Sequence, residues 1–148
     1  MTEGNKKVVE ALGNLLADSY ILYLKTQNYH WNVTGPMFNT LHNLFEEQYT
    51  DLAGANDTIA ERIRALGEKS PGSFAAFSKM AKVKEETGEP DAKEMLENLI
   101  KDQEVITASA QAVFEAAEAA SDEPTADMAI QRMQRHQKNR WMLEAHLE

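Results

Sequence analysis

The chain has 148 residues, 43% of them hydrophobic, with no cysteine and a formal net charge of -9 at pH 7. That length makes one domain, residues 1–148, able to bury a core, and no stretch reaches the roughly 20 apolar residues of a membrane span. Without thiols there are no disulfides, thiolate zinc sites or iron–sulfur ligands, so any metal must be held by histidine and carboxylate; the acidic balance opposes general affinity for nucleic-acid backbones and favours concentrating cations.

The N-terminal stretch MTEGNKKVVEALG has neither the apolar core nor the cleavage pattern of a secretory signal, which predicts a cytoplasmic protein. From Asn5 to Trp31, Val8, Leu12, Leu15, Ser19, Leu22 and Tyr29 keep near-helical spacing with no proline to interrupt them, so a long first helix is expected, with His30 in its last turn. Thr34-Gly35-Pro36 then marks a tight turn, with Pro36 suited to the first turn of a second helix.

The second helix is expected over Met37 to Leu66. At about 100° per residue, with His42 at 0°, Glu46 falls near 40°, Asp57 near 60° and Glu61 near 100°. Phe38, Leu41, Leu44, Phe45, Leu52, Ile59, Ile63 and Leu66 fall between roughly 200° and 320°, so the four candidate ligands lie beside the core stripe and not in it. Imidazole with carboxylate suits iron, zinc or manganese. The helical rise nevertheless puts Asp57 about 22 Å from His42, ten times the length of a metal–ligand bond. Either the two pairs serve separate sites, or a second chain lies antiparallel across a two-fold axis and completes two equivalent sites. The single-chain di-iron bundle needs Glu-x-x-His on two helices, and that pattern occurs nowhere in the sequence, which favours the dimer.

Gly67 and Lys69-Ser70-Pro71-Gly72 end the second helix. In Ser73 to Val83, Phe74, Phe77, Met80 and Ala81 recur at helical intervals, fitting either a short helix or a loop whose aromatics pack down on the bundle. After a break at Glu85 to Pro90, Asp91 and Glu94 make a capping-box signal for a helix with Met95, Leu99, Ile106, Ala110, Val113 and Ala117 on its core face. Ser121 to Thr125 turns the chain, Pro124 opens the last long helix, and Ile130, Met133, Gln137 and Trp141 give it a mixed face suited to subunit contacts. His136 and His146 read as structural or surface residues. Phosphate loops, nucleophile elbows and solenoid repeats are all lacking, so hydrolase and nucleotide-binding readings have no support.

His30-Trp31, His42 and Asp57-x-x-x-Glu61, with Glu46 where a further carboxylate is often found, resemble the ferroxidase region of the Dps family of mini-ferritins. A lone histidine or an i,i+4 pair of charges on a helix is ordinarily structural or solvated; the family register is what points to metal. The resemblance implies an all-α fold, a ferritin-like four-helix bundle with a short extra helix in the crossover between helices two and three, near a dimer two-fold. It implies iron bound by His30, His42, Glu46, Asp57 and Glu61 at a site shared between subunits, with Trp31 as packing or shielding. It further implies ferrous oxidation by hydrogen peroxide or dioxygen, ferric mineral stored in a twelve-subunit shell, and Asp122, Glu123 and Asp127 as an ion-access path.

The alternative is a nucleoid-associated protein that shields DNA and binds iron only incidentally. It would need a mobile basic tail, and neither MTEGNKK nor WMLEAHLE supplies one, so DNA binding is expected to be weak or absent. An inert helical interaction module is the third reading, which a metal titration separates from the first.

Overall fold

In a computed structural model describing residues 1–148, five helices form and no strand: α1 (Glu3–Asn32), α2 (Phe38–Ala65), α3 (Phe74–Met80), α4 (Ala92–Ala119) and α5 (Glu123–Ala145). Local chemistry sets their ends. Thr2 caps α1 by accepting from the Asn5 N–H, and Ser73 caps α3 by accepting from Ala76. Asp91 and Glu94 exchange both bonds of a capping box at α4. Gly35 and Gly67, at φ 104 and φ 99, take the left-handed backbone that closes the turns before and after α2. Pro36 lies ahead of α2 and not in its first turn, because Met37 is the cap residue; Leu66 similarly caps the other end.

Pairings across the bundle give its topology. Tyr23 meets Tyr49 and His30 meets His42, so α1 and α2 run antiparallel. Lys25 pairs with Asp102 and Asp18 with Ser109, so α4 is antiparallel to α1 as well. Thus α2 and α4 are parallel, and residues 66–91 must travel back along the bundle to join them. This is the single long crossover of a ferritin-like four-helix bundle, and α3 sits within it against α1.

The core stripes expected on α1 and α4 are all buried, as are Leu41, Leu44, Phe45, Leu52, Ile59 and Ile63 of α2. Phe38 departs from that stripe: it is exposed and lies over the His42 ring, with centroids 5.0 Å apart. On α5 the buried face runs through Ala126, Ala129, His136, Asn139 and Leu143, and Ile130 and Trp141 point outward. That face is polar in part, which is why apolar periodicity does not reveal it.

Three side chains of α1 hold the crossover down. Asp18, fully buried, accepts from the N–H groups of Lys82 (2.6 Å) and Val83 (2.9 Å) and from the Ser109 hydroxyl. Lys25 donates to the Lys84 carbonyl while paired with Asp102 at 2.8 Å. The Tyr29 hydroxyl donates to Glu86 and accepts from Asn98. Burial and the Glu86 carboxylate drive the Tyr29 phenol far above its usual pKa, while the bond from Tyr29 holds Glu86 below the usual carboxylate range.

Candidate metal centre

The turn at residues 33–37 folds α2 back so that the His30 and His42 rings stack at 3.8 Å between centroids and 13° between planes. Each Nδ1 lies 2.7 Å from the other residue's backbone carbonyl oxygen. A carbonyl only accepts, so both Nδ1 atoms carry hydrogen, and in the neutral rings both Nε2 atoms keep a lone pair for a metal. The latch is built from main-chain acceptors, so it fixes two ring orientations without any further acid. His30 is buried, with the Tyr49 ring edge-on at 5.2 Å, and Phe38 covers the outer face of the half-buried His42. Tyr49 and Phe38 escape a search for ligands because aromatic residues at helical spacing carry no metal signal.

The carboxylates are placed differently. Glu46, Asp57 and Glu61 are all exposed on the surface of α2. Asp57 borders a groove of about 410 Å³ between α1, α2 and α3, together with Tyr20, Tyr23, Phe74 and Phe77. Phe77 is buried and stacks on Tyr20, whereas Phe74 is 64% exposed. Trp31, beside His30 in sequence, is 59% exposed. Within one chain no three histidine or acidic side chains converge to hold a metal. His30 and His42 are brought together; Asp57 and Glu61 remain at the far end of the helix.

At the start of α5 the three acids have separate fates. Asp122 is the helix cap, accepting from the Thr125 N–H, and its carboxylate also takes the Arg62 guanidinium at 3.1 Å. Glu123 and Asp127 are exposed, with Asp127 accepting only from Gln131 one turn on. His136, far from this end, is fully buried; its Nδ1 meets Gln103 Oε1 at 2.8 Å and its Nε2 accepts from Arg132 at 3.1 Å. Burial first, then Arg132 and Arg135, lower its pKa well below the ordinary histidine value. That imidazole is a neutral structural group.

The family model described as Ferritin-like domain matches residues 9–148. A relative from Brevibacillus brevis, named DNA protection during starvation protein, is 40% identical over 141 residues, covering 95% of this chain and 95% of its own. The crystal structure of a Dps protein from Bacillus brevis superposes with a TM-score of 0.97 at 38% identity, over 100% of this chain and 99% of that one. A Dps protein from Vibrio cholerae O1, described as a member of a broad superfamily of ferritin-like diiron-carboxylate proteins, gives 0.93 at 34% identity, over 98% and 91%.

Proposed function

This chain belongs to the Dps branch of the ferritin-like family, and on that premise we propose that it oxidises ferrous iron at sites shared between two chains and stores the ferric product, protecting the cell from oxidative damage. The observation that carries the reading is the reciprocal latch, which engages both Nδ1 atoms of two stacked imidazoles and leaves each Nε2 without a hydrogen-bond partner. A ferrous ion is the substrate. Two neutral imidazoles give it no charge compensation, which carboxylates must therefore supply. Glu46 lies one helical turn from His42, and Asp57 and Glu61 would come from a partner's α2 lying antiparallel across a two-fold axis.

In this arrangement His30 and His42 orient the ion, Asp57 and Glu61 neutralise it, and the exposed Trp31 comes under cover only when the partner docks. Two ferrous ions give up one electron each; hydrogen peroxide takes both electrons and two protons and leaves as two waters. Dioxygen is the alternative oxidant. A shell of twelve chains built from such dimers would hold the mineral, in the cytoplasm or against the nucleoid, with Glu123 and Asp127 on the ion-access path. The acidic balance leaves DNA as a weak partner.

Complementation tests the shared site. His42→Ala with Glu46→Ala in one chain, and Asp57→Ala with Glu61→Ala in another, should each abolish rapid ferrous oxidation as homodimers. In a mixed dimer one site loses all four residues and the other regains all four, so activity should return to about half per dimer if the sites act independently. Mixed dimers verified by native mass but as inactive as either parent would end the two-fold reading.

A further inference from the structure

Between α2 and α5, on the side of α2 away from the α3 groove, lies a second cavity of about 520 Å³ lined by Asp51, Gly54, Thr58, Gln131, Arg132 and Arg135. Asp51 is the carboxylate found bound to both guanidiniums. Arg132 reaches it through both terminal nitrogens at 2.9 and 3.4 Å, whereas Arg135 approaches only through Nε at 3.7 Å, too far for a hydrogen bond. His136, which accepts from Arg132, is held neutral by its burial. Two fixed positive charges therefore share one negative one.

The seam around this cavity is short of acceptors. Eight buried side-chain polar atoms in the chain lack a partner; Arg132 Nε and Arg135 Nε belong to residues that line this cavity, and Gln48 Nε2, Gln48 Oε1 and Asn139 Nδ2 belong to residues one helical turn away on the same two helices. Gln48 lies one turn before Asp51 on α2, and Asn139 one turn beyond Arg135 on α5; each is 2% exposed. Four of the five atoms are donors and one is an acceptor. A buried donor left without an acceptor loses its hydration uncompensated, so native proteins supply partners for such groups. Water offers donors as freely as acceptors, whereas an anion only accepts and also answers the surplus positive charge. The open space above Gly54, where an added Cβ would meet nothing within 4 Å, leaves room for it.

The geometry points to a small inorganic anion, of the phosphate class, bound in this seam between α2 and α5 by Arg135 and Arg132. The site is independent of the proposed iron chemistry and uses none of its residues.

The test is calorimetric titration of the metal-free, assembled protein with inorganic phosphate in an otherwise anion-poor buffer, with chloride as a separate titrant. Saturable phosphate binding is expected, weakened about tenfold or more in Arg135→Gln, a side chain exposed enough to change without unfolding the seam, and tightened in Asp51→Asn, which frees both guanidiniums. Chloride that competes at similar concentration assigns the site to small anions at large; phosphate retained against chloride assigns it to oxyanions. No saturable heat with either titrant, or equal binding by wild type and both folded variants, overturns the assignment, as would a high-resolution structure in phosphate showing only waters in the seam.

Discussion

Asp18 offers the most direct perturbation, because its carboxylate is the acceptor for three groups that have little else. Replacing it with alanine orphans the Val83 N–H, which is buried, and the Lys82 N–H, which is only part-buried and can turn to water. The Ser109 hydroxyl partly recovers through the Val105 carbonyl at 3.4 Å. At about 1–3 kcal/mol for each fully buried orphan, and less for the other two, the local cost is about 2–4 kcal/mol. Native-state hydrogen exchange reads this directly: the amides of Lys82 and Val83 should exchange about 30- to 1,000-fold faster, at about 1.4 kcal/mol per tenfold. Amides that exchange only by global unfolding should speed up by no more than the same factor. Asp18→Asn keeps one acceptor oxygen and should show about a tenfold effect or less. If Lys82 and Val83 exchange at the wild-type rate in Asp18→Ala, the clamp does not hold the crossover, and the positioning of α3 beside Asp57 needs another cause.

The lowered His136 pKa gives stability a pH dependence. The unfolded chain takes up a proton near the ordinary value of 6.5 and the folded chain only at lower pH. Stability is thus fully present above that value and is lost as pH falls towards the folded pKa, by up to about 1.4 kcal/mol per pH unit per chain. Urea midpoints measured from about pH 7.5 down to about pH 5.5 should fall in wild type and stay flatter in His136→Gln, and parallel curves would refute the assignment. Glu123→Gln combined with Asp127→Asn should slow iron uptake at limiting iron and leave assembly intact, and unchanged uptake kinetics would remove both from the ion path. Asp122→Asn should behave differently, lowering stability by up to about 1 kcal/mol through the α5 cap and the Arg62 pair, which thermal unfolding would detect.

Amphipathic periodicity made the long helices legible, and the core stripes of α1 and α4 could be read residue by residue because they are apolar. Capping chemistry located the start of α4 at Asp91, and the helical rise alone separated His42 from Asp57. The crossover Ser73 to Val83 stayed open between helix and loop, since seven residues of helix depend on packing as much as on propensity; Phe77 on Tyr20 decided it. The inward face of α5 was hidden for a related reason. Arg132, His136 and Asn139 carry no hydrophobic signal, and their places between α2 and α4 depend on partners such as Asp51 and Gln103, distant in the chain. The stacked histidines show the same division of labour. Sequence supplied two imidazoles and a turn between them, but only the approach of two helices puts each ring against the other's carbonyl, because hydrogen bonds across 12 positions are set by backbone geometry and leave no mark on residue type.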